Sequence, residues 1–217
     1  MITLYAAYGF PPFLKGLVRD LRPLWALEEL KLPYEIHWMD ASKGEHGIDP
    51  NRSINPFGKI PSLTDGDVKL FESCAIVHYL YDKAGHLPKT PEARAKSLQW
   101  SLAAVNTIEP VVLDIARWDK FWTDRPGREQ RYKELIDQAQ ARTAELAHAL
   151  GTKPYLLGEE FGPADILMTT VLNFAGHQPL VLEKAPAAAA YIARCKTRPA
   201  YGRAISKQGV GPDAKAA

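Results

Sequence analysis

Disulfide frameworks, metal sites and membrane spans all need residues that this chain has in short supply. Two cysteines, Cys74 and Cys195, occur among 217 residues. Thiols so few and so far apart exclude a disulfide scaffold or a CxxC redox pair, and each reads as a reduced thiol within a core. The six histidines (His37, His46, His78, His86, His148 and His177) form no HExxH and no Cys/His cluster, so no metal is expected. No segment approaches the roughly 18 uninterrupted apolar residues of a membrane span. The opening MITLYAAYG has no basic stretch followed by an apolar run, so the expectation is a cytoplasmic protein with no membrane contact. An excess of one charge sign is missing too: the formal net charge is +2, which excludes a polyanion-binding tract and leaves no reason to expect a nucleic-acid partner.

What is present is an ordinary globular composition, 46% hydrophobic and 24% charged, enough for a sizeable core in one large or two small domains. Ile2 to Tyr5 is a short apolar run of strand length, followed by a loop rich in Gly and Pro. From Val18 to Leu30, Leu21, Leu24, Trp25, Leu27 and Leu30 recur at helical spacing, with Pro23 tolerable only in the first turn. Tyr34 to Met39 alternates as a second strand. Two short runs, Ile60 to Leu63 and Val68 to Phe71, flank the turn Asp65, Gly66, Asp67 and predict a hairpin. Phe71, Ala75, Ile76, Tyr79 and Leu80 then stripe a helix ending near Gly85, so the order is βαββα.

Strand signals stop after His86 to Pro91, which reads as a linker. Residues 92–122 predict a long helix broken at Pro110. Leu135, Ala139, Thr143, Leu146 and Leu150 stripe another, and further helices are expected from Pro163 to Ala175 and from Ala187 to Lys196. The expected organisation is a domain over 1–85, a linker over 86–91, an all-helical domain over 92–209 and a disordered tail over 210–217.

Asn55, Pro56, Phe57, Gly58, Lys59, Ile60 and Pro61, followed by DGD and LFESCAIVHYL, resemble the glutathione-site segment of cytosolic glutathione transferases. LWALEELKLPYE resembles the family's first helix and second strand. This resemblance covers about the first 85 residues and implies a thioredoxin-like α/β domain (βαβ then ββα) followed by a helical domain. The helical half matches in layout and in the segment GEEFGPADI. There Gly162 replaces the family's Ser or Thr cap, Pro163 suits the first helical position, and Asp165 is expected to serve folding.

The residues carry a physical reading beside the resemblance. A proline opening a strand cannot donate to the ladder, which leaves the backbone of Ile60 available to a peptide-like ligand. The resemblance implies a cis Ile60–Pro61 bond facing the cysteinyl part of glutathione. It also implies Ser73 on the γ-glutamyl carboxylate and Glu72 near its ammonium group. Ser73 stands where it can cap a helix whose free N–H groups favour an anion. Lys59 is either a partner of the glycyl carboxylate or a solvated surface lysine.

A glutathione transferase must hold its thiol as thiolate, lowering a pKa of roughly 8.5 toward neutrality. The family uses a Tyr ending the first strand, or a Ser or Cys starting the first helix. Between Ala6 and Leu30 this chain has no Ser, Thr or Cys, which excludes the second option. Tyr8, read as a loop tyrosine, is the first candidate, ahead of Tyr5 at the strand end and the cation Arg19. Arg117, Trp118, Phe121 and Trp122 fall where the family lines its second-substrate pocket, and Phe10 and Phe13 could complete it. Spacing of i and i+4 equally fits core packing of these aromatics.

The resemblance therefore implies a homodimeric enzyme of detoxification type, with glutathione as co-substrate, that conjugates the thiolate to an apolar electrophile. Glutathione-dependent reduction of a disulfide or peroxide, or binding without catalysis, are the alternatives. A maleylacetoacetate-type isomerase is disfavoured, because its serine- and cysteine-rich motif is absent from the first loop.

Overall fold

A computed structural model describes residues 1–176 and 178–212. The chain divides into two compact units, residues 1–87 together with the segment from Arg198, and residues 88–197. Placing all of 92–209 in the helical domain is thus corrected at its C-terminal end. Most of the expected disordered tail, residues 213–217, lies outside the described residues.

The first unit is built on a four-stranded sheet of order β2-β1-β3-β4, comprising β1 (Ile2–Tyr8), β2 (Tyr34–Asp40), β3 (Ser62–Asp65) and β4 (Val68–Phe71). β1 runs parallel to β2 from the pair Ile2 and Tyr34 to the pair Tyr8 and Asp40. That pairing carries β1 three residues beyond the apolar run, so Tyr8 ends the strand and is not a loop residue. β3 pairs antiparallel with β1 and β4, and the β3–β4 hairpin closes through Gly66 and Asp67. Pro61 therefore precedes an inner strand, where its missing N–H costs no ladder bond.

α1 (Leu21–Leu30) places Pro23 at its third residue, among the N-terminal positions that have no intrahelical acceptor. Leu21, Leu24, Trp25 and Leu27 are completely buried, as are Leu4 and Leu63 in the sheet and, on α2 (Ser73–Lys83), which packs against α1, Ile76 and Leu80. Each such side chain contributes on the order of 1.5–3 kcal/mol on burial.

The helical unit holds α3 (Pro91–Leu102), a π-helical stretch (Ala103–Ile108), α4 (Glu109–Lys120), α5 (Arg128–Leu150), α6 (Pro163–Gly176), α7 (Pro179–Glu183) and α8 (Pro186–Lys196). Pro110 stands second in α4, so the predicted break is realised as the wide turn before it. α5 buries all five stripe residues, and α6 is buried from Pro163 to Phe174, as expected of a central helix. Asp165 accepts from the N–H of Gly162 and of Leu156, both at 2.9 Å, and from the Tyr191 hydroxyl at 2.8 Å. The expected structural role of this aspartate, 1% exposed, thus has three donors behind it, two of them buried.

α9 (Pro199–Lys207) belongs to the first unit because its partners are on α1. Tyr201 sets its ring edge-on to Trp25 at 4.8 Å, Arg203 and Lys207 bind the Glu28 carboxylate at 2.8 and 2.6 Å, and Arg198 pairs with Glu29. These attachments lie 169 to 179 residues apart in sequence, beyond the reach of any periodicity.

Candidate functional site

The segment from Asn55 to Pro61 is held by two buried asparagines. Asn51, fully buried, donates to the carbonyls of His46 at 2.6 Å and Lys59 at 3.1 Å and accepts from the Ser62 hydroxyl at 2.7 Å. Asn55 donates to the Lys59 carbonyl at 2.9 Å and accepts from the Phe57 N–H at 3.0 Å. The backbone entering β3 is thereby anchored from both sides. The Ile60–Pro61 bond is cis, and Ile60 itself is half-buried just outside the ladder. The Lys59 side chain is exposed.

Glu72 and Ser73 stand at the start of α2, with Glu72 exposed in a left-handed backbone (φ 68°) and its carbonyl accepting from the Ile76 N–H at 3.0 Å. Glu72, not Ser73, is thus the cap residue. The expected Ser73 cap is corrected: Ser73 is the first helical residue, and its hydroxyl makes no cap bond but accepts from Arg22 Nη1 at 3.0 Å. Arg22 is 2% exposed, a guanidinium buried in the first turn of α1. Sequence reasoning missed it, although a lone cation between Leu21 and Pro23 in an apolar helix face is itself a sign of a buried partner. The result is a concentrated positive end: a guanidinium behind a hydroxyl, at a helix N-terminus whose N–H groups point outward.

The three activator candidates are not brought together. Tyr5 lies mid-strand, opposite His37 and Ser62, with its ring 4.9 Å from that of His37. Tyr8 is half-buried at the C-terminal end of β1, three residues on and therefore on the opposite face. Arg19 is exposed in the turn before α1. Beside it, Asp20 is 1% exposed, accepts from the Ala7 N–H at 3.0 Å and from Gln208 Nε2 at 2.6 Å, and burial pushes its carboxyl up to about 6. Cys74, beside Ser73, is no thiolate, since burial raises its thiol to about 11 against the opposing pull of Arg22. Buried Cys195 is likewise pushed up to about 11.

The residues expected around a second substrate fall in separate units. Phe10 is half-buried and Phe13 is 46% exposed on the first. On the second, Arg117 pairs with Asp114 at 2.9 Å, Trp118 sets its ring edge-on to Trp122 at 5.6 Å, and Phe121 is 62% exposed. Arg117 and Trp118 thus have partners within their own helix and turn, while Phe121 presents its ring outward. Among the described residues no group of three or more His, Cys, Asp and Glu could hold a metal ion, and no helix is long and apolar enough to cross a membrane. His177 lies outside the described residues.

Comparison with known proteins places this geometry. Residues 21–90 match the family described as Glutathione S-transferase, N-terminal domain, and residues 102–199 match Glutathione S-transferase, C-terminal domain. The chain is 31% identical over 199 residues to the disulfide-bond oxidoreductase YfcG of Escherichia coli, covering 86% of this chain and 90% of that one. It is 28% identical over 194 residues to glutathione S-transferase F6 of Arabidopsis thaliana, covering 85% and 92%. A theta class glutathione S-transferase of Xanthomonas axonopodis pv. citri, solved with glutathione bound, superposes with a TM-score of 0.80 at 27% identity, covering 96% of this chain and 98% of that one. With both halves matched, this chain belongs to the glutathione S-transferase family.

Proposed function

We propose that this protein is a glutathione S-transferase whose first unit binds glutathione along the line from Ile60 to Ser73 and whose product is a thioether with a small apolar electrophile. One observation carries the binding site: Ser73 and the N-terminus of α2, backed by buried Arg22, stand next to the exposed carboxylate of Glu72. A cationic pocket beside an anion suits the α-carboxylate and ammonium of the γ-glutamyl end, each with its own counter-charge. The backbone of Ile60 and Pro61, fixed through Asn51 and Asn55, serves the cysteinyl part, and Lys59 is near enough in sequence to meet the glycyl carboxylate. Both cysteines have raised thiol pKa values, so the reacting sulfur is glutathione's own, and Tyr8 is proposed to stabilise it by donating a hydrogen bond to the thiolate.

Arg117, Trp118 and Phe121, on the second unit, are proposed to meet the electrophile. A cytoplasmic homodimer completes the reading, supported by the exposed aromatic Phe57 set against Phe71 at 6.0 Å. Light scattering tests it, and a single-chain mass at micromolar concentration would reject the dimer.

Likeness to a disulfide-bond oxidoreductase favours glutathione-dependent disulfide reduction as a second reading. Calorimetry with glutathione, followed by turnover with a panel of electrophiles and with a glutathione-reducible disulfide, separates the two. Absence of binding at millimolar glutathione, or binding indifferent to Glu72→Ala and Ser73→Ala together, would overturn both.

A further inference from the structure

The chain leaving α9 is stitched into the loop between β1 and α1. Gln208, 2% exposed, accepts from the Gly16 N–H at 2.7 Å through Oε1 and donates through Nε2 to the Val18 carbonyl at 3.0 Å and to Asp20 at 2.6 Å. One side chain thus grips the loop at three points, 188 to 192 residues away in sequence. Asp20 extends the grip to the strand by accepting from the Ala7 N–H at 3.0 Å, one residue before Tyr8.

The next residues continue the attachment. Gly209 forms a parallel bridge with Tyr8 and lies under the ring of Phe10, where an added Cβ would fall 2.6 Å from the ring carbon Cζ. At Gly211 an added Cβ would fall 3.0 Å from Cδ2 of Tyr8. Both glycines also have left-handed backbones, with φ of 73° and 81°. The segment fits against Tyr8 and Phe10 only as glycine, and Gln208 places it there.

We propose that Gln208 is a positioning residue for thiolate formation: it holds the β1–α1 loop and lays Gly209 and Gly211 against Phe10 and Tyr8, so that the exit from α9 fixes the group that activates the bound thiol. The inference rests on the glutathione reading above, but not on Tyr8 being the activating group, since Gln208 grips the whole loop.

The test is the ultraviolet titration of the thiolate in the glutathione complex, with glutathione affinity by calorimetry and kcat and KM toward a chloronitroaromatic electrophile. Gln208→Ala is expected to raise the apparent pKa of the bound thiol by about one unit and to lower kcat at neutral pH about tenfold, one pKa unit being a factor of ten. Glutathione affinity, set at Ile60, Glu72 and Ser73, should stay within about twofold. Gln208→Met keeps a side chain of nearly the same length and removes all three hydrogen bonds to the loop, so it keeps the question open to measurement if Gln208→Ala does not fold; it should shift the titration in the same direction. A shift in Gln208→Ala with none in Tyr8→Phe would support Gln208 while removing Tyr8 from the mechanism. A folded Gln208→Ala or Gln208→Met protein that titrates like the wild type would overturn the proposal, as would a loss confined to KM for glutathione.

Discussion

Arg22, in the first turn of α1, donates from Nη1 to the hydroxyl of Ser73, the first residue of α2, at 3.0 Å. With Arg22 only 2% exposed, its charge is held in a place where water screens it little. Arg22→Met should therefore weaken glutathione binding even though Ser73 is untouched, by about 1.5–3 kcal/mol for a hydrogen bond to a charged group, or roughly ten- to a hundredfold in Kd. Arg22→Lys should recover little, because an ammonium lacks the planar fork. Calorimetry on the two variants checks this, and wild-type affinity in Arg22→Met would remove Arg22 from the site.

Tyr8 and Tyr5 differ by an odd number of positions on one strand, so only one can face a given site. Tyr8→Phe should raise the apparent pKa of bound glutathione by about one to two units and cut turnover at neutral pH about tenfold or more, with little change in affinity. Tyr5→Phe should leave the titration in place. A drop confined to Arg19→Ala would transfer the role to the cation.

Asp20 links stability to pH. Its carboxyl is raised from 3.8 to about 6 in the folded chain, so the folded state holds the proton more tightly than the unfolded state. Stability from this group is full below about pH 4, falls as pH rises toward 6, and is lower by about 3 kcal/mol above that window. Asp20→Asn removes the titration, and its melting temperature should lack the decline that wild type shows between pH 4 and 6. Parallel curves for the two proteins would contradict the assignment.

Asp165 meets three donors, the N–H groups of Leu156 and Gly162 and the Tyr191 hydroxyl. Asp165→Ala should destabilise the chain by about 3–5 kcal/mol, as expected for the loss of a buried hydrogen-bond network, and lower the melting temperature by roughly 6–20 °C. The thiol titration of the remaining folded protein should not move. A melting temperature within about 2 °C of wild type would refute this role.

Local patterns were enough for much of the architecture. The hairpin around Gly66, the apolar stripes of α1, α2 and α5, and the break before Pro110 follow from dihedral preference and periodicity, which act over a few residues. NPFGKIP and FES were legible because the backbone that they build is local as well. The length of β1 was not legible, since the chain itself signals only Ile2 to Tyr5 and the parallel partner β2 supplies the rest. Nor were Arg22, Asp20 and Gln208, whose meaning lies in partners 51 residues away for Arg22 and 188 for the Asp20–Gln208 pair. A buried charge or amide is stable only when its hydrogen bonds are made, and tertiary structure alone decides which groups come close enough to make them. By itself, the sequence determined a sheet-bearing first half, a helical second half and the segment that leads into β3. Tertiary structure decided that the last helix returns to α1, that a guanidinium stands behind Ser73, and that Gln208 closes on the loop after Tyr8, because each joins residues that only the folded chain brings within hydrogen-bond distance.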